Sequence, residues 1–123
     1  MVVMRATPFV LRAETSDGSL WFTEFTGNKI GKISKATGAI VEYPLPEPLS
    51  GPISLTLASD GNIYTDESLS NKIAKLVPAT GVISEMAIPA PPAAFPDEIR
   101  FGTGNKIWFP ELVADQVGSM TLF

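Results

Sequence analysis

Apolar and polar positions alternate along this chain in short runs, and the runs recur. In Ile53-Ser54-Leu55-Thr56-Leu57 the apolar side chains fall on every second residue, with Ser54 and Thr56 between them. That is the period of a strand, whose successive side chains point to opposite faces. This run, Ile53 to Ala58, is a predicted strand A. Asp60-Gly61 then interrupts it with residues that tolerate positive φ, the signature of a tight hairpin turn. Strand B is predicted at Asn62 to Glu67, and the polar stretch Ser68 to Asn71 leads to strand C at Lys72 to Val77. Pro78-Ala79-Thr80-Gly81 turns the chain into strand D, Val82 to Ile88.

The same order of signals occurs on either side. Asp17-Gly18-Ser19-Leu20-Trp21-Phe22-Thr23-Glu24 returns as Asp60-Gly61-Asn62-Ile63-Tyr64-Thr65-Asp66-Glu67, and more loosely as Gly104-Asn105-Lys106-Ile107-Trp108-Phe109-Pro110-Glu111. Asn28-Lys29-Ile30-Gly31-Lys32-Ile33 matches Asn71-Lys72-Ile73-Ala74-Lys75-Leu76 and then Asp115-Gln116-Val117-Gly118-Ser119-Met120. The first two copies are offset by 43 residues at every motif (17 to 60, 28 to 71, 37 to 80), and the next by 44 (67 to 111, 71 to 115). A constant offset across separate motifs identifies a structural repeat. Four short antiparallel strands repeated every ~40–45 residues predict an all-β fold of β-propeller blades. Blade 1 is expected over about 8–46, blade 2 over 52–89 and blade 3 over 96–123. The third copy stops after strand C, and residues 1–6 lie where a D strand would complete it. Closed propellers have typically about four to eight blades, so three imply a partial propeller or part of an oligomeric ring, with a second copy of the chain as partner.

Composition narrows the chemistry. The 123 residues, 45% hydrophobic and 18% charged, suffice for one domain with a core. A net charge of −4 without a run of Lys or Arg argues against nucleic acid and anionic membranes as partners. The start, Met1 to Arg12, lacks the layout of a signal peptide, and no stretch reaches transmembrane length, so the chain reads as soluble, with its compartment open. There is no cysteine and no histidine. These two counts exclude disulfides, thiolate chemistry, a Ser-His-Asp triad, a His general base and His-ligated zinc or copper.

The phrase Leu-Trp-Phe-Thr-Glu at 20–24, then Gly-Asn-Lys-Ile-Gly-Lys-Ile at 27–33, then Thr-Gly-Ala-Ile-Val-Glu-Tyr-Pro-Leu-Pro at 37–46, resembles the blades of the virginiamycin B lyase (streptogramin B lyase) family. The other copies are similar to it more loosely, so the resemblance spans nearly the whole chain. It implies a seven-bladed propeller, a carbon–oxygen lyase that opens a cyclic depsipeptide by elimination at its ester, and magnesium as cofactor. In that family catalytic histidines follow the proline that starts strand A, and a functional glutamate ends strand B. The matching positions here are Phe9, Ile53 and Asp97 after proline, and Glu24, Glu67 and Glu111 at the strand ends. The histidines are missing from every copy, and fold alone does not transfer activity.

Hairpin geometry places the start of A beside the end of B. It sets Asp97 and Glu98 near Glu111, and Ile53 near Asp66 and Glu67. In a ring, Glu24, Glu67 and Glu111 would gather at one channel mouth, where clustered carboxylates raise one another's pKa or bind a hard cation such as Mg²⁺. Asp97 and Glu111 are therefore the candidate catalytic pair, Glu24, Asp66 and Glu67 candidate ligand-binding residues, and Glu67 and Glu111 candidate metal ligands. The competing structural expectation is a solvated strand-end glutamate, or one paired with Lys29 or Lys72. Trp21, Tyr64 and Trp108, recurring beside Phe22 and Phe109, are expected to pack between blades, and Asn28 and Asn71 to form turns opening strand C.

Three functional classes remain: a lyase-like propeller unit that binds a small cyclic ester or peptide, or a metal, without competent catalysis; an active lyase or lactonase opening a cyclic ester with Asp97 and Glu111; and a protein-interaction module with no small-molecule site.

Overall fold

The computed structural model describes residues 10–89 and 95–123, with residues 10–12 described by backbone alone. The expectations for residues 1–6 and for Phe9 lie outside the described residues. Among the described residues every regular element is a strand, and the strands form three antiparallel sheets. The first holds β1 (Val10–Glu14), β2 (Ser19–Glu24), β3 (Lys29–Ser34) and β4 (Ile40–Pro44) in sequence order. The second holds β5 (Pro52–Leu57), β6 (Ile63–Glu67), β7 (Lys72–Leu76) and β8 (Ile83–Ala87). The third holds β9 (Arg100–Gly102), β10 (Lys106–Glu111) and β11 (Gln116–Thr121). These are the predicted blades, with strand ends within a residue or two of those read from the pattern in blade 2.

The turns follow the chemistry that predicted them. Gly18 and Gly61 sit at φ 79° and 80° in the hairpins between first and second strands. Asn28, Asn71 and Asp115 adopt φ of 58°, 56° and 54° at the start of the third strand, a left-handed conformation that Asn and Asp tolerate best among non-glycine residues. Asn28 does more than turn. Its Oδ1 accepts from Ser50 N (2.9 Å) and Ser50 Oγ (2.6 Å), and its Nδ2 donates to Glu47 O (2.8 Å), tying blade 1 to the linker that enters blade 2.

Two apolar seams hold the blades side by side. Ala13, Trp21 and Ile30 of blade 1 meet Leu55, Ile63 and Leu76 of blade 2. Tyr64 and Ile73 on the opposite face of blade 2 meet Ile99, Ile107, Phe109 and Met120 of blade 3. Each such side chain contributes roughly 1.5–3 kcal/mol when fully buried. Trp21 and Tyr64 thus pack between blades as expected. Trp108, on the face of blade 3 away from blade 2, is only half-buried and donates Nε1–H to Thr103 O at 2.8 Å.

The sheets also show a complementarity within each blade. Across β2 and β3, Phe22 faces Gly31, and across β10 and β11, Phe109 faces Gly118. A Cβ at Gly31 would lie 2.1 Å from the Phe22 ring, and one at Gly118 2.5 Å from Phe109. In blade 2 the equivalent pair is Thr65 facing Ala74, where the smaller partner leaves room for a methyl group.

Candidate functional site

The hairpins bring the end of each second strand beside the start of the first. Pro52 pairs with Glu67, Pro96 forms a bridge with Glu111, and Asp97 N donates to Pro110 O at 3.2 Å. The predicted neighbourhoods therefore exist: Ile53 lies by Asp66 and Glu67, and Asp97 by the end of β10. Glu24, Glu67 and Glu111 occupy one equivalent position in the three blades.

Their surroundings correct the expectation of solvated or lysine-paired side chains. Glu24 is 2%, Glu67 0% and Glu111 3% exposed. The lysines bond elsewhere: Lys29 to Glu42 at 2.9 Å, and Lys72 to Glu47 at 2.9 Å and Glu85 at 3.4 Å. Each strand-end glutamate instead meets another polar side chain of its own sheet. Glu111 Oε1 lies where a Cβ on Gly118 would come within 2.4 Å, and its Oε2 accepts from Gln116 Nε2 at 2.6 Å. Glu24 hydrogen-bonds Glu42, and Glu67 stands against Glu85.

Both carboxyl oxygens of Glu67 are buried and make no hydrogen bond among the described residues, with the Ser50 hydroxyl and Glu85 as polar neighbours. Its polar neighbour Glu85 is another acceptor, so the two can hydrogen-bond only when one carries a proton. Burial, then the hydrogen bond and charge of Glu85, push the Glu67 carboxyl up to about 8. Glu67 is thus a buried carboxyl whose protonated form is favoured by burial and by the Glu85 carboxyl beside it.

Asp66 is also fully buried. It lies on the other face of β6, toward blade 3. Its Oδ1 accepts from Ile53 N (3.1 Å) and Ser54 N (2.7 Å), where the pairing of β5 with β6 slips between Pro52 and Leu55. That slip departs from the strict alternation expected of strand A. Ser54, expected on a polar face, is buried, and its Oγ accepts from Ile99 N of blade 3 at 2.8 Å. Burial raises the Asp66 pKa to about 7, opposed by the Ser54 and Ile53 amides and reinforced by the negative charge of Asp97.

Asp97 is half-buried and Glu98 exposed, so both carboxylates reach solvent at the blade 3 rim. Their segment is held in an unusual backbone: Phe95 and Glu98 have φ of 55° and 49°, in the left-handed region. Asp97 Oδ1 accepts from Glu98 N at 2.7 Å, and Glu98 pairs with Arg100 at 3.3 Å. The charge of Asp97 thus acts on Asp66 of the neighbouring blade.

Among the described residues, no three His, Cys, Asp or Glu side chains are grouped so as to hold a metal ion. With Glu67 enclosed against Glu85 and Glu111 bonded to Gln116, these residues do not fit a magnesium site, and no step below passes through a metal. No helix among the described residues is long and apolar enough to cross a membrane.

Sequence reasoning missed Asp66 as a connector. Its counterparts in the other copies are Thr23 and Pro110, so repetition does not mark the position. The available signal was a second acidic residue beside the strand-end glutamate, present in this copy alone.

The Virginiamycin B lyase family model matches residues 2–122. No match was found among curated proteins. Among solved structures, a streptogramin B lyase is 31% identical, with a TM-score of 0.86 over 98% of this chain and 39% of its own. A catalytically inactive virginiamycin B lyase from Staphylococcus aureus, with quinupristin, is 33% identical, with a TM-score of 0.75 over 89% of this chain and 40% of its own. A periplasmic gluconolactonase from Pseudomonas aeruginosa, 14% identical with a TM-score of 0.66 over 94% of this chain and 36% of its own, shares the fold alone. The chain spans about two-fifths of the length of the lyases it matches.

Proposed function

The chain belongs to the virginiamycin B lyase family, and from that premise we propose that it binds a cyclic ester or depsipeptide of the streptogramin B kind at the rim formed by its inner strands, without carrying out the elimination. The observation that carries this reading is the chemistry of the after-proline positions. Ile53 has no titratable group, and Asp97 stands where a base would be needed in a chain without histidine. The strand-end glutamates are enclosed in their sheets and supply no substitute. A missing general base costs typically about 10²–10⁴ in rate.

The second reading, an active lyase or lactonase, draws on Asp97 itself, whose negative charge stands at the rim within electrostatic reach of Asp66. Quinupristin separates the two. Elimination moves a carbon-bound proton to a base, forms a carbon–carbon double bond and releases the carboxylate, so the product keeps the parent mass but changes retention and fragmentation. Lactonase chemistry adds the mass of one water. Binding by calorimetry with an unaltered ligand on chromatography supports the rim-binding reading. A linear product lost in Asp97→Asn replaces it with catalysis, and absence of binding removes both.

A further inference from the structure

We propose that Asp66, acting with Ser68, is a positioning residue that sets the spacing between the two inner-strand starts, Ile53 in blade 2 and Asp97 in blade 3. The inference rests on the rim-binding reading for its consequence, and on geometry for its existence.

Asp66 Oδ1 gathers two successive amides, Ile53 N and Ser54 N, at the point where β5 leaves regular register. The carbonyl of Ile53 is held from the other side by Thr23 Oγ1 of blade 1 at 2.9 Å. Ile53 is thus fixed at both its polar groups. Asp66 Oδ2 lies 3.4 Å from Ser68 Oγ, and Ser68 Oγ lies 2.5 Å from Pro96 O. A hydroxyl has one hydrogen, and the shorter contact takes it. The Ser68 hydroxyl therefore donates to Pro96 O, and its contact with Asp66 Oδ2 is a hydrogen bond when the Asp66 carboxyl is protonated and donates to Ser68 Oγ. The resulting line runs from the Ile53 and Ser54 amides through Asp66 and Ser68 to the carbonyl that precedes Asp97. Ser54 Oγ closes a parallel route by accepting from Ile99 N. Ser54, Asp66 and Ser68 in this line are buried and Ile53 is part-buried, so most of its bonds are shielded from water.

The inner strands are the part of each blade nearest the ring axis, and residues 53 and 97 are equivalent positions on them. A ligand that spans two blades would meet both at once, and a shift of one against the other would misplace its contacts. Asp66 touches no ligand in this scheme; it acts through Ile53 and Pro96.

The test compares wild type, Asp66→Asn, Asp66→Ala and Ser68→Ala, with quinupristin as the probe and amide hydrogen exchange as a readout independent of binding. Asparagine keeps the Oδ1 acceptor and can donate to Ser68 Oγ, so Asp66→Asn should bind within about threefold of wild type, whereas Asp66→Ala should lose about tenfold or more. Exchange at Ile53 and Ser54 should quicken by about tenfold in Asp66→Ala and stay near wild type in Asp66→Asn. Equal binding and equal exchange in Asp66→Ala and wild type would overturn the inference, as would failure of asparagine to rescue. If wild type does not bind quinupristin, the rim-binding reading falls while the exchange pattern still decides the spacing role. If Asp66→Ala does not fold, Ser68→Ala decides it, with weaker binding or faster exchange at Asp97 and Ile99 expected and unchanged behaviour in both sinking it.

Discussion

Blades 2 and 3 start alike, with a proline whose neighbour faces the rim, yet they secure that neighbour differently. In blade 2 the residue is Ile53, chemically silent and held through its amide by Asp66 and through its carbonyl by Thr23. In blade 3 it is Asp97, charged and half-exposed, between residues in left-handed backbone, with one amide bond to Pro110. The firmer support lies under the residue without chemistry. The rim's architecture at blade 2 is therefore carried by backbone groups and does not depend on the side chain at position 53.

The largest effect expected from this contrast is on stability. Asp66→Leu leaves the buried Ser54 amide and the part-buried Ile53 amide without acceptors and should cost about 3 kcal/mol, whereas Asp97→Leu should stay within about 1 kcal/mol of wild type. Urea denaturation of the two variants checks the ranking, and equal losses would mean that the two starts are supported alike. Next comes the strand pair behind the rim. Gly118→Ala drives a methyl group into Phe109 and Glu111 and should cost about 2 kcal/mol, while Ala74→Gly in blade 2 should cost about 1 kcal/mol. Adding Phe109→Thr to Gly118→Ala should relieve part of the loss, read as a positive coupling in a double-mutant cycle.

A smaller effect follows from pH. Asp66 and Glu67 hold protons in the folded state up to about 7 and about 8, against ordinary values of 3.8 and 4.5. The folded state then binds more protons than the unfolded one between those limits, so their contribution is complete below about pH 4 and declines until both have ionised, above about pH 8. The melting temperature of wild type should fall between pH 5 and pH 9, and the Asp66→Asn, Glu67→Gln double variant should fall less. The lowered values of Asp17 and Asp60 act below this window and leave it unaffected. The smallest expected effect is that of millimolar Mg²⁺, which should move the melting temperature by less than about 1 °C, since no three ligating side chains are grouped among the described residues. A larger rise, abolished by Glu111→Gln, would bring a metal site to the blade 3 rim.

Much of this architecture was legible beforehand, because its signals are local. Asp-Gly, Asn at the third-strand start and the two-residue alternation each act within a few positions, and their 43-residue recurrence multiplies them. The adjacency of Asp97 to the end of β10 was also legible, since a hairpin dictates it. The burial of Glu24, Glu67 and Glu111 was not. Whether a strand-end carboxyl meets solvent or a neighbouring strand depends on which way it lies across the sheet, and on a partner such as Glu85 that is 18 positions away. The Asp66 line was hidden for a related reason: it joins segments from two blades, and the copies differ at that position.

The pairing of Phe22 with Gly31, Phe109 with Gly118, and Thr65 with Ala74 bears on how such repeats diverge. In the copies of this chain a phenylalanine ring always faces a glycine, and where the ring is replaced by Thr65 the facing residue is Ala74. A chimera that grafts β2 of the first unit into the second without β3 would set Phe against Ala74, whereas moving the hairpin intact should preserve the sheet. Modular engineering of these proteins should therefore cut at the outer loops and treat the central two strands as indivisible.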